Sequence, residues 1–189
     1  VVVGGEAGSP SLCERARFLN SVALVRSSVS LLTESKSAPA SAKEARAQAD
    51  RALTMPLDPV TRSAALFARG TADLFLGKAD SAQESLTAAL AAKLPVELVP
   101  FARNNLAVAL ARSGSLEAAA RELQAVREQK NSRGGSPGPA EATLNLGILR
   151  DQGGRGAEAL SLFDEYLRAE KERPEGIADR AEALRKVYP

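Results

Sequence analysis

At 189 residues the chain has room for one domain, or for an array of about four to five helix pairs. Hydrophobic residues make up 44% but aromatics only 4%, so the apolar mass is Ala, Leu and Val, and no alternating β-branched run argues for a sheet. The 25 basic and 23 acidic residues are evenly spread and leave a net charge of +2, which excludes the basic footprint of a nucleic-acid binder.

The chain has no His, which removes the commonest general base and the commonest metal ligand. With one Cys and no metal-ligand spacing, neither an intrachain disulfide nor a cofactor is expected, and the chain reads as non-catalytic. Glu165, Glu170 and Glu172 read as a solvated helix face. No apolar run reaches the eighteen or so residues of a membrane span.

Residues 1–10 are expected to be a flexible tail, because three Gly and a Pro follow the Val run and no Lys-Ser/Thr completes a phosphate loop. The chain begins with Val, which leaves room for a removed signal peptide upstream. Leu12-Cys13 departs from a lipoprotein cleavage site, whose residue before the Cys is small, so Cys13 reads as a half-buried thiol near a helix start. Ser11 and Glu14 form a capping box for a helix over about Leu12–Lys36. The segment from Ser37 to Ser41, with Pro39, is expected to break it. A second helix is expected over about Ala42–Thr54, closed by Pro56 and Pro59.

The next units are clearer. Helices over about Val60–Leu76 and Ser81–Lys93 flank a turn at Gly77. Helices over Val99–Arg112 and about Leu116–Lys130 flank Ser113-Gly114-Ser115. An insert over Asn131–Pro139, rich in Gly, Ser and Pro, reads as a linker. Helices over about Ala140–Asp151 and Ala157–Arg173 then flank Gly153–Gly156, and this stretch reads as a turn rather than a phosphate nest. A last amphipathic helix, about Glu175–Tyr188, has the apolar and charged faces of a terminal cap.

One register runs through these units. Ala45, Ala82, Ala119 and Ala159 stand 37, 37 and 40 residues apart. Each is followed four positions later by Ala49, Leu86, Leu123 or Phe163, and seven positions later by Ala52, Ala89, Val126 or Tyr166. A period of this length means a stacked array of small units. Gly70 and Gly147, with Ala107 in the same place, mark where paired helices cross closely, and Gly77, Gly114 and Gly154 suit the left-handed turn between them.

The pattern resembles the tetratricopeptide repeat. Leu66, Gly70, Gly77, Ala82, Leu86, Ala89 and Pro95 carry the resemblance in the second unit; Leu106, Ala107, Leu110, Gly114, Ala119 and Leu123 in the third; Leu146, Gly147, Gly154, Ala159, Phe163 and Pro174 in the fourth. The first unit keeps only Ala45, Ala49, Ala52 and Pro56 and is degenerate. The resemblance implies an all-α solenoid of about four antiparallel helix pairs plus a C-terminal capping helix. It would occupy residues 11–189, with repeats at about 11–59, 60–98, 99–139 and 140–174 and the cap at 175–188.

It also implies that the first helix of each pair lines a concave groove. The candidate groove residues are Phe67, Thr71 and Leu74; Phe101, Asn104, Asn105, Val108 and Arg112; and Glu141, Leu144, Asn145, Ile148 and Gln152. Asn105 and Asn145 share one repeat position, where members that bind extended peptides hold the peptide backbone; the bland alternative is that both are solvated or pair with a neighbouring helix. The cations with which chaperone-binding members clamp a chain terminus are missing at Phe67, Thr71, Phe101 and Glu141.

The function implied is a non-catalytic scaffold that holds a peptide segment or partner subunit, as a subunit of a larger assembly. The alternative is an envelope assembly or motility-complex lipoprotein, pilotin-like, and the Ala/Arg/Gly-rich usage and missing start place a bacterial envelope or periplasm slightly ahead of the cytoplasm.

Overall fold

Ala and Leu dominate each apolar stripe, and their helical propensity with close-packing small side chains produces helices that stack in pairs. The computed structural model describes residues 38–131 and 141–171. Its helices are α1 (Ala38–Leu53), α2 (Pro59–Phe75), α3 (Ala79–Ala91), α4 (Val99–Arg112), α5 (Leu116–Asn131), α6 (Glu141–Gln152) and α7 (Gly156–Lys171). There is no strand among the described residues. The tail at 1–10, the helix expected from Leu12 with Cys13, the insert after Asn131 and the helix at 175–188 lie outside the described residues.

The expected boundaries hold to within a residue or two, with one correction. α1 begins at Ala38, four residues before the expected Ala42, so Pro39 lies within its first turn. A proline is tolerated there because its missing N–H has no intrahelical acceptor to lose. At α2 the start is capped by Asp58, which accepts from Val60 N at 2.9 Å and Thr61 N at 3.1 Å, with Pro59 next in the chain. The Thr61 hydroxyl also donates to this carboxylate and is the main reason Asp58 titrates below the usual carboxylate range, with the backbone amides adding to it.

Three identical turns join the pairs α2–α3, α4–α5 and α6–α7. Gly77, Gly114 and Gly154 adopt φ of 76°, 82° and 73°. In each turn the residue after the glycine donates back to the carbonyl five positions earlier: Lys78 to Asp73 at 2.9 Å, Ser115 to Leu110 at 2.8 Å, Arg155 to Arg150 at 2.8 Å. This is the Schellman arrangement, and it satisfies carbonyls that a helix end otherwise leaves open. The same three residues then accept the first bond of the following helix, from Ala82, Ala119 and Ala159, each at 3.0 Å. These are the Ala residues of the sequence register, and all three are fully buried.

The paired helices cross where the small residues stand. A Cβ added at Gly70 would meet Leu86 Cγ at 2.7 Å and Leu86 N at 3.1 Å; one added at Gly147 would meet the Phe163 ring at 2.5 Å. In the middle pair the same places hold Ala107 and Leu123, both buried. Leu faces a Gly at 70 and an Ala at 107, and Phe163 faces a Gly at 147, so each crossing keeps a small residue on the first helix.

Each pair packs on the next through α1–α2, α3–α4 and α5–α6. The first helices of successive pairs also touch one another, α2 with α4 and α4 with α6, whereas α1, α3, α5 and α7 have no such backbone contact among themselves. A stack whose rows differ in this way curves toward the tighter row, so α2, α4 and α6 line its inner face. The main core runs from Phe67 through Leu86, Leu106 and Leu123 to Leu146, and a second cluster around Phe163 and Tyr166 belongs to the last pair.

One polar group crosses the core of the first junction. Asp73, fully buried on α2, accepts from Arg46 Nε of α1 at 2.5 Å and from the Ser81 hydroxyl of α3 at 2.7 Å. Arg46 also pairs with Asp50 at 2.8 Å, and its guanidinium is held further in the charged form, chiefly by the bond to Asp73. The equivalent residue 37 positions later is Leu110, so the charge is a local choice and not a requirement of the repeat.

Two outcomes are expected in urea unfolding. Gly147→Ala lowers stability by about 1–3 kcal/mol, against the helix propensity of Ala, because the added methyl must displace the Phe163 ring. Arg46→Met costs about 3 kcal/mol by leaving the Asp73 carboxylate buried without its cation, and Arg46→Met/Asp73→Leu recovers most of that loss. Equal losses in the single and double variants would show that Arg46 acts through packing alone.

Candidate peptide groove on the inner helix row

The thirteen candidate residues fall into three groups on α2, α4 and α6. Phe67, Leu74 and Leu144 are core residues, each no more than 8% exposed, so their side chains do pack. Thr71 and Asn104 are buried polar groups, whereas Asn105, Val108, Glu141, Asn145 and Ile148 are half-buried. Phe101, Arg112 and Gln152 are exposed.

The asparagines form a chain across all three inner helices. Asn145 Nδ2 on α6 donates to Asn104 Oδ1 on α4 at 3.0 Å. Asn104 Nδ2 donates to Asn105 Oδ1 at 3.3 Å, and Asn105 Nδ2 donates to Thr71 Oγ1 on α2 at 3.1 Å. Each amide thus acts as a clasp between repeats, and its neighbour in the chain orients it. A primary amide carries two donors and an acceptor, so Asn145 keeps a second N–H beyond its bond to Asn104. The neighbouring-helix pairing allowed for in the sequence is therefore present at both Asn105 and Asn145. Sequence reasoning placed them at one repeat position but had no signal for the Asn104 and Thr71 partners, which become neighbours only through the stacking.

At the C-terminal ends of α4 and α6 the inner row opens into a cavity of about 330 Å³. Ala107, Val108, Ala111, Leu123, Ile148 and Leu149 supply its apolar lining. Arg112, Asn145 and Gln152 supply its polar groups. Five of the nine lining residues were groove candidates from sequence; Ala107 and Leu123 read there as packing positions of the repeat, and Ala111 and Leu149 carried no signal. Arg112 Nη1 donates to Leu74 O at the end of α2 at 2.7 Å, and it has no carboxylate partner among the described residues. Among the described residues no cluster of Cys and carboxylates could hold a metal ion, and no helix is long and apolar enough to cross a membrane.

A family model described as the tetratricopeptide repeat matches residues 67–134 and 119–174, which together take in more than half of the chain. The chain belongs to the tetratricopeptide repeat family. The match begins within α2, so α1 and the residues before it fall outside it. Two solved structures share the fold of these tetratricopeptide repeats. A crystal structure of MamA protein is 14% identical with a TM-score of 0.57, covering 82% of this chain and 76% of that one. A second crystal structure of MamA is 13% identical with a TM-score of 0.54, covering 79% of this chain and 88% of that one. No curated protein matches the chain. Tetratricopeptide repeat domains bind protein partners, and the array described here is a protein–protein interaction scaffold of that kind.

The clasp makes a testable demand. Asn105→Ala and Asn145→Ala share Asn104 as a partner, so their effects on urea unfolding should depart from additivity by about 0.5 kcal/mol or more. Strict additivity would mean that the amides act as separate pairs.

Proposed function

We propose that this chain is a non-catalytic scaffold that holds an extended peptide segment of a partner protein along the row formed by α2, α4 and α6. The observation that carries the reading is the cavity between α4 and α6, where half-buried Val108 and Ile148 stand beside the amide of Asn145. Apolar walls take up side chains and shield the site from water, and a primary amide pairs with a peptide unit whatever the sequence. Extended peptides suit such a row because successive amides and apolar positions can be met from successive helices. Phe101, 42% exposed near the start of α4, and Glu141 at the start of α6 would extend the contact to the other end of the row.

Because Asn105 and Asn145 also clasp the repeats together, their loss would mix binding with stability. Val108 and Ile148 separate the two. Affinity capture from native lysate should retain a partner on the parent chain and lose it, by at least about tenfold, on Val108→Glu/Ile148→Glu with helical circular dichroism unchanged; that factor corresponds to about 1.4 kcal/mol. Equal recovery on both chains would move binding off the inner row.

A further inference from the structure

The cavity exists at one junction of the inner row because two side chains change there. At the junction of α2 with α4, Leu74 stands near the end of α2, and Arg112 at the end of α4 reaches back to its carbonyl. At the junction of α4 with α6 the equivalent residues are Ala111, 37 positions after Leu74, and Gln152, 40 positions after Arg112. Ala111 is three carbons smaller, and the Gln152 side chain makes no hydrogen bond among the described residues. Space that a Leu side chain and a guanidinium occupy in one junction is open in the next. The two junctions also differ in extent, since α5 meets α6 over a smaller interface than α3 meets α4.

From this we infer that the cavity is a selectivity pocket for an aliphatic side chain followed by a carboxylate, in a peptide segment shaped as Leu-Glu or Ile-Asp. This rests on the groove reading above and adds the chemistry of what the groove selects. The large apolar lining residues, Val108, Leu123, Ile148 and Leu149, are branched aliphatic, and no aromatic ring lines the cavity. Its volume equals about ten waters at liquid density, enough for a four-carbon side chain and the backbone beside it. The charge is one-sided. No carboxylate lines the cavity, and Arg112 is its one cation. Of the five N–H groups of that guanidinium, one is used on Leu74 O, so others remain for an acid on the ligand. The amides of Asn145 and Gln152 add donors on the same rim.

The probes are capped octapeptides in a Gly/Ser background with central Leu-Glu, Ala-Glu, Leu-Gln or Leu-Lys, titrated into the isotope-labelled chain and followed by backbone amide shifts. Leu-Glu should bind at least about tenfold more tightly than Ala-Glu or Leu-Lys, with shifts centred on the last turns of α4 and α6. Ala111→Leu places at this junction the side chain the preceding one carries, so it should abolish binding while leaving the thermal midpoint equal or higher. Arg112→Gln removes the bond to Leu74 O as well as the cation; with helical circular dichroism unchanged, it should erase the preference for Leu-Glu over Leu-Gln. Absence of binding, or no preference for Leu over Ala, overturns the inference, as does binding that survives Ala111→Leu. A captured partner that needs Val108 and Ile148 but ignores Ala111→Leu would sink this pocket and leave the groove standing; one that ignores all three would sink both.

Discussion

Everything in this array depends on how closely the two helices of a pair approach. Gly70 under Leu86 and Gly147 under Phe163 leave no room for a methyl group, and Ala107 opposite Leu123 is the middle version of the same contact. That spacing decides how long the turn between the helices can be, and hence that a left-handed glycine must stand in it. It also brings the second helix near enough for its buried Ala to seat the next pair. Interiors pack to near-crystalline density, so a change at one of these contacts is passed along the stack rather than absorbed locally.

Much of this is legible in the sequence, because the determinants recur. Ala82, Ala119 and Ala159, the three turn glycines and the small residues at 70, 107 and 147 announce one unit several times over, and the helices and turns follow from them. Single-copy features were harder to read. Pro39 has the local chemistry of a breaker, yet it stands inside the first turn of α1, where a proline gives up no intrahelical hydrogen bond. Asp73 stands in a place where Leu110 and Arg150 stand in the other copies, and no local signal marks its burial with Arg46. Position in the repeat points to Val108, Arg112, Asn145, Ile148 and Gln152, which line the cavity. The same rule also selected Phe67, Leu74 and Leu144, whose side chains turn into the core; facing direction along a helix is decided by the neighbouring repeat, which a single register cannot show.

The inner row differs from the outer one in what holds it. Across the inner row the repeats are joined by hydrogen bonds through Thr71, Asn104, Asn105 and Asn145, and by Arg112 on Leu74 O. Outer connections are ion pairs at the surface, such as Arg127 with Glu165 at 2.6 Å and Arg155 with Glu117 at 3.7 Å, which are worth little individually in water. The face with oriented amides is thus also the face whose geometry is best fixed. A surface that must recognise a chain by its backbone benefits from donors that are already aimed, since less freedom is lost on binding.

The turns carry a further consequence. Lys78, Ser115 and Arg155 each close one helix with their N–H and open the next with their carbonyl. Neither helix of a pair can then fray at this end without releasing a bond that belongs to the other. The smallest piece of this chain that opens on its own is therefore the hairpin, and slow amide exchange with solvent should come in paired blocks bounded at the links between pairs, where α3 gives way to α4 and α5 to α6.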